Sequence, residues 1–245
     1  LDADVRISKR WPYFSCGDVQ AASALINYAR GRTRPGKGRW DTEHPNDHHS
    51  SETFFIYATW PGASSVLEWD GEKTFAAYYA QPYRDGAVSC AEFYEELVEA
   101  LNDQHPDLKT PVRMIPAGEV MAVLDEKIRK GTLPGIEAFY RRNQPYFVKA
   151  RRNNKKPSPF DPDDFDPKAG MLNFYADGVH MNDQPHNGVD SGTIGSYVAA
   201  LTVYSTLSGK SPVGLTAKPY EQFDAQADAE LSKTLQATVW SVVSA

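Results

Sequence analysis

Thr53-Phe54-Phe55-Ile56-Tyr57-Ala58-Thr59-Trp60 is an almost unbroken aromatic and β-branched run, closed by Pro61-Gly62. A strand apolar on both faces has no side to give to water, so it predicts a central parallel strand covered by helices above and below. A second buried strand is expected at Val112-Arg113-Met114-Ile115, ending in Pro116-Ala117-Gly118. Between them, Ser89-x-x-Glu92 reads as a capping box opening a helix that buries Phe93, Leu97, Val98 and Leu101. After the second strand, Val120, Val123, Leu124 and Ile128 mark another helix, stopped by Gly131. Strand, helix, strand, helix in this order predicts an α/β protein of three layers with a doubly wound, mainly parallel sheet. Ligands in such sheets gather beyond the carboxyl ends of the strands, here Trp60 to Ser65.

The flanking sequence adds elements to the same frame. Asp4 to Ser8 alternates like a short strand, and Gly17-Asp18 opens a helix with Val19, Ala22, Leu25, Ile26 and Ala29 on one face. Residues 66–88 read as a structured loop able to wall a pocket. Residues 141–170 lose apolar periodicity and read as an irregular insertion rather than a second domain. Ile194 to Leu207 is a helix ended by Gly209, and Phe223, Ala227, Leu231, Leu235 and Val239 recur at a spacing that predicts a terminal helix. A chain of 245 residues with this pattern is expected to form one domain, residues 1–245, with no internal repeat.

A 41% apolar and 24% charged composition is that of a globular protein, and no segment approaches the length of a membrane span. With 26 basic against 32 acidic residues the net charge is −6, which gives no long-range attraction to phosphate, so neither nucleic acid nor membrane is an expected partner. Cys16 and Cys90 make neither a metal cluster nor a Cys-x-x-Cys motif. Each precedes the first turn of a predicted helix, and a disulfide or two buried thiols are both open.

Chemistry concentrates at Asn173-Phe174-Tyr175-Ala176-Asp177-Gly178-Val179-His180. An aspartate three residues before a histidine is able to hold the imidazole, fix its tautomer and support the positive charge it gains as a general base. Spacing alone is weak, because two common polar residues fall this way by chance in a loop.

Context strengthens it. The buried strand ending Ile115-Pro116-Ala117-Gly118, the phrase Tyr175-Ala176-Asp177-Gly178-Val179-His180, and the run Gly195-Ser196-Tyr197-Val198-Ala199-Ala200-Leu201 through Ser208-Gly209-Lys210-Ser211-Pro212 together resemble the carboxyl-terminal part of bacterial SGNH/GDSL-type hydrolases. The resemblance implies a flavodoxin-like α/β/α fold and serine-esterase chemistry without a cofactor. It implies that Asp177 is the orienting carboxylate and His180 the general base that takes a proton from an attacking serine. The family's Gly-Asp-Ser-Leu turn is not found, and alignment sets Asp4 near the family's third strand. Three accounts of the nucleophile follow: it lies before Leu1 or on another chain, Ser15 or Cys16 serves at a helix amino terminus, or the domain is catalytically inactive. The segment from Met181 to Thr193 is longer than the family's usual link.

The expected substrate is a small or carbohydrate-linked acyl ester. The alternative is an inactive SGNH-like domain that binds glycans through an aromatic rim of Trp60, Trp69, Tyr78, Tyr79 and Tyr83, residues equally suited to core packing. A chain starting at Leu1 fits a removed signal peptide or an absent amino-terminal piece, and the expected location is extracytoplasmic or secreted. Asp41, His44, Asp47, His48 and His49 have metal-ligand types but sit around Pro45, which favours a solvated loop. Asp161, Asp163, Asp164 and Asp166 lack calcium-loop spacing and a closing glutamate. Arg151 to Lys156 reads as a mobile basic loop, with contact to an acidic glycan as the alternative, and His105 and His186 read as surface residues.

Overall fold

The computed structural model describes residues 16–30, 53–82, 89–152, 164–175, 194–217 and 223–245. In chain order these form α1 (Cys16–Ala29), β1 (Phe55–Tyr57), α2 (Ala63–Glu68), α3 (Phe75–Tyr79), α4 (Ala91–Gln104), β2 (Arg113–Ile115), α5 (Ala117–Arg129), α6 (Ile136–Arg152), a 3-10 segment (Pro167–Phe174), α7 (Ile194–Ser208) and α8 (Ala229–Val243). The chain divides into two compact units, one of residues 1–57 and 82–114, the other of residues 58–81 and 115–245. The strand expected at Asp4 to Ser8 lies outside the described residues.

In the first unit, β1 and β2 form a two-stranded parallel sheet. Arg113 donates its amide to the Phe54 carbonyl at 3.1 Å, and Arg113 also lays its guanidinium 5.5 Å from the centre of the Phe55 ring. The sequence predicts two buried strands, the first covered on both faces. Each is three residues, and β1 is half-buried at Phe55 and Ile56 and exposed at Tyr57. The described protein is helix-rich and sheet-poor, with parallel pairing as predicted.

Helix α1 packs against α4, burying Val19 and Ile26. Leu25, expected on the apolar face, is 69% exposed. Ala22 is half-buried, so the buried stripe is the seven-residue step from 19 to 26 rather than the broader set. The capping box at Ser89 does not form. Ser89 has a φ of 71°, in the left-handed region, while the extended Cys90 takes the N-cap position. The helix it precedes buries Phe93, Leu97 and Leu101 as predicted.

In the second unit, α5 is the central element and packs against α3, the 3-10 segment, α7 and α8. Val120, Met121, Leu124 and Ile128 are its buried apolar stripe, and Val123 is half-buried. Its end is a Schellman motif: Gly131 at φ 67° donates to the Ile128 carbonyl at 2.9 Å, and Thr132 donates to Lys127 at 2.8 Å. The stretch read as a loop from Val66 holds the second half of α2 and all of α3, the latter capped by Thr74, whose Oγ1 accepts from the Ala77 amide. Helix α6 runs through Pro145 to Arg152, so the predicted irregular insertion begins with helix. Two i, i+4 interactions support its first turns, Arg141 to Glu137 at 2.7 Å and the Asn143 side chain to the Phe139 carbonyl at 2.9 Å.

Helices α7 and α8 pack together, as their periodicities predict. Gln236 of α8 is buried where they meet and donates to Tyr197 Oη and to the Leu215 carbonyl, each at 2.7 Å, while its Oε1 accepts from the Gly214 amide at 2.8 Å. The terminal helix starts at Ala229, later than the Phe223 periodicity suggested, because the turn before it is fixed separately. Asp228, 2% exposed, accepts from the Arg142 guanidinium and from the Asp224 amide.

Candidate functional site

Asp177 and His180 lie outside the described residues, as do Ser15, Tyr83, His186 and the cluster from Asp41 to His49. What the structure defines is the stretch of chain that leads to the pair, residues 164–175, and the start of α7 at Ile194. Every residue from Ala169 to Tyr175 is buried, although the backbone there is 3-10 and interrupted at Gly170. Short irregular backbone sunk in a core requires other groups to satisfy its amides and carbonyls.

Two side chains supply them in part. Asn173 accepts the Asp166 amide at 3.1 Å and donates to the carbonyls of Asp166 at 2.7 Å and Gly170 at 2.8 Å, closing the segment on itself. Asp125, on α5 and fully buried, accepts the Met171 amide on Oδ1 at 2.8 Å and the Ala76 amide on Oδ2 at 3.2 Å. It therefore joins α3, α5 and the 3-10 segment through one carboxyl. Arg129, one turn further along α5, has its Nε 3.8 Å from Asp125 Oδ2 and pairs with Glu72 at 3.2 Å. Burial pushes the Asp125 carboxyl above the usual carboxylate range, outweighing the opposite pull of the Met171 and Ala76 amides and of Arg129.

Tyr175 fastens the end of the segment instead. Its ring is fully buried, and its hydroxyl donates to the Pro61 carbonyl at 2.5 Å. Pro61 follows the last residue of β1 by four positions, and Tyr175 precedes Asp177 by two. Gly118, the glycine of the Ile-Pro-x-Gly phrase, packs at the same stretch: its amide donates to the Ala58 carbonyl at 2.9 Å, and a Cβ there would meet Tyr79 at 2.4 Å and the Thr59 carbonyl at 2.6 Å.

The aromatics expected to wall a pocket are largely packed. Trp60, Tyr78 and Tyr79 are buried; Tyr78 meets the half-buried Trp69 edge-on at 5.6 Å, and Tyr79 stacks with Phe75 at 6.3 Å. Of the acidic group near residue 164, Asp166 caps the 3-10 segment by accepting the Lys168 amide at 2.9 Å. Among the described residues no three His, Cys, Asp or Glu side chains are grouped to hold a metal. Arg151 and Arg152 belong to α6 rather than to a loop.

Two readings concern the first unit. His105 was expected at the surface, but it is 5% exposed, and its Nε2 lies 2.8 Å from Ser23 Oγ. The helix α4 ends there, so the imidazole of its C-cap residue folds inward onto α1 instead of following the polar sequence around it. Cys90 is a buried thiol, and burial pushes it above its usual range. A thiol of that kind is a poor nucleophile.

A cavity of about 970 Å³ opens beside α8, lined by Leu215, Phe223, Asp228, Ser232 and Gln236 among others. Its polar lining is internally bonded, with Ser232 Oγ 2.8 Å from Tyr197 Oη, and it contains none of the predicted site residues. No helix among the described residues is long and apolar enough to cross a membrane. Comparison with protein-family models, with curated proteins and with solved structures finds no match.

Sequence reasoning passed over Asp125, because it opens the charged run Asp125-Glu126-Lys127 that reads as a solvated helix face. The one signal for it is its place directly after Leu124, on the buried side of the stripe.

Proposed function

We propose that the protein is an ester hydrolase of the SGNH serine type, with His180 as general base and Asp177 as the carboxylate that orients it. The observation that carries this reading is the bond from Tyr175 to Pro61. It ties the chain entering the Asp-x-x-His phrase to Pro61, within the stretch Trp60 to Ser65 where the sequence pattern leads us to expect a ligand. Two residues of chain reach at most about 7 Å, so the tether also limits how far Asp177 can stray from the Tyr175 backbone.

In the proposed reaction a hydroxyl, drawn from residues not yet identified, attacks the ester carbonyl as His180 removes its proton. The imidazolium then protonates the leaving alcohol, and water repeats the sequence to release the acid. Asp177 stays ionised and supports the charge on the ring. The substrate class is a small or carbohydrate-linked acyl ester, and an extracytoplasmic location belongs to the same proposal. So does the finer three-layer, flavodoxin-like arrangement, which the parallel pairing of β1 and β2 supports. The burial of Trp60, Tyr78 and Tyr79 favours catalysis over glycan binding through an aromatic rim.

Replacing His180 by alanine should abolish release of p-nitrophenol from short acyl esters while leaving the fold intact. Unchanged turnover refutes the assignment. A fluorophosphonate probe should label the wild type; a wild type that neither hydrolyses nor labels, yet is retained on polysaccharide, is the inactive binding domain instead.

A further inference from the structure

We infer that the cavity beside α8 is a binding site for a small apolar carboxylate, a function separate from the proposed ester hydrolysis and independent of it. The cavity measures about 970 Å³, a size that holds small organic ligands, and it lies wholly within the second unit. One wall is a face of α8 on which Ala229, Ser232, Lys233 and Gln236 follow one another at i, i+3, i+4 and i+7. The turns at 213–217 and 223–225 supply the rest.

Both turns are held in place by bonds of their own. The first is pinned to α8, where Gln236 accepts the Gly214 amide at 2.8 Å and donates to the Leu215 carbonyl at 2.7 Å, and the Leu215 amide closes onto the Pro212 carbonyl at 3.1 Å. In the second, Asp228 accepts the Asp224 amide at 2.8 Å, and Asp224 Oδ1 accepts the amides of Gln226 and Ala227 at 2.8 and 2.7 Å. The Phe223 ring is wedged 4.7 Å from Tyr197 and 4.8 Å from Phe139. A hollow with walls already fixed gives up little conformational freedom when it is filled.

The chemistry of the lining says what fits. Val213 and Leu215 are 49% and 39% exposed although both are large and apolar, and Ala217, Phe223 and Ala229 extend the apolar lining around them. A hydrocarbon body laid there takes that area out of water. Most of the polar lining is already satisfied within the protein. Ser232 and Gln236 bond each other and Tyr197 Oη, Asp228 pairs with Arg142, and Asp224 serves the two amides of its turn. A sugar or nucleotide, with many donors and acceptors to satisfy, finds few free partners in such a lining. Lys233 differs from its neighbours: it is exposed, and its ammonium makes no ion pair or hydrogen bond among the described residues. One free cation beside an apolar hollow matches a ligand with one anionic head and an apolar remainder.

Isothermal titration calorimetry of the full chain with sodium octanoate tests this, with 1-octanol as the uncharged probe of equal length. Octanoate should bind at one site per chain and more tightly than octanol. Ala229→Trp, which sets an indole into the hollow from an exposed position, should weaken octanoate at least about tenfold. Lys233→Gln should weaken octanoate about threefold, as expected for an exposed ion pair, and leave octanol unchanged. Circular dichroism checks the fold of each variant. If Ala229→Trp does not fold, Leu215→Asp takes its place, since a negative charge on the apolar wall should weaken octanoate at least as much. The inference is overturned by a wild type that binds no octanoate or binds octanol equally well, by unaltered octanoate binding in the blocking variant that folds, or by a Lys233→Gln change that affects neither probe or both alike. None of these results bears on the esterase reading, which His180→Ala tests by turnover.

Discussion

A Cβ on residue 170 would lie 2.0 Å from the Oδ1 atom of Asp125, so the Asp125 carboxyl sits in the space that a side chain at 170 would need. Gly170 also has φ 54° and ψ −131°, a conformation essentially confined to glycine. Both constraints act against any side chain there. Gly170→Ala is therefore expected to destabilise the protein by about 3 kcal/mol, combining backbone strain with the loss of a well-placed buried acceptor. Urea unfolding measures it, and a change below about 1 kcal/mol would show that the segment shifts freely.

The same carboxyl gives stability a pH dependence of defined sign. Its folded value is raised by burial, so the folded state binds the proton more tightly than the unfolded chain. Its contribution is fully present below the ordinary aspartate value of about 3.9, and is lost as pH rises from there through the raised folded value. In Asp125→Asn this decline should vanish, so the difference in urea midpoint between variant and wild type should move in the variant's favour as pH rises across that window. Parallel curves for the two proteins would contradict the assignment.

Gln236 joins α8 to α7 and to the turn at 214–215 through one amide, with Tyr197, Leu215 and Gly214 as partners. Gln236→Leu keeps the volume but removes the donor to the buried Tyr197 hydroxyl together with the partners of the Leu215 carbonyl and the Gly214 amide. The expected loss is about 2 to 3 kcal/mol, more than the net worth of one hydrogen bond. Thermal unfolding should show a lower Tm with the helical signal retained below it; an unchanged Tm would mean that water replaces the amide.

Much of this architecture is legible because apolar periodicity and glycine placement report burial directly. Helix α7 was expected from Ile194 to Leu207 and runs from Ile194 to Ser208; Gly131 and Gly209, read as helix stops, have φ of 67° and 65°. The errors have a common cause, which is that a polar residue in sequence does not disclose its partner. His105 turns inward because Ser23, 82 positions away, offers a hydroxyl, and Asp125 is buried because amides 46 and 49 positions distant point at it. Helix α6 passes through Pro145 because i, i+4 bonds earlier in it and the Arg142 pairing with Asp228 outweigh one missing donor. For the candidate site, Tyr175 stood in view as part of an aromatic phrase, yet its bond to Pro61 spans 114 positions and follows from no local pattern.

Cys90 offers a check on the first unit that is independent of any activity. The thiol is fully buried at the N-cap of α4, and desolvation raises its value, with the nearby Glu92 and Glu96 adding to the effect. The Phe93 amide pulls the other way, as expected at a helix amino terminus, but does not overcome burial. Since the thiolate is the reacting species, native Cys90 should resist iodoacetamide at pH 8 and be alkylated rapidly once urea unfolds the chain. Peptide mapping by mass spectrometry reads the modification at residue 90 directly. Fast labelling of that residue in the native protein would mean that α4 opens at its first turn, and that the extended Cys90 and left-handed Ser89 do not hold the helix start in place.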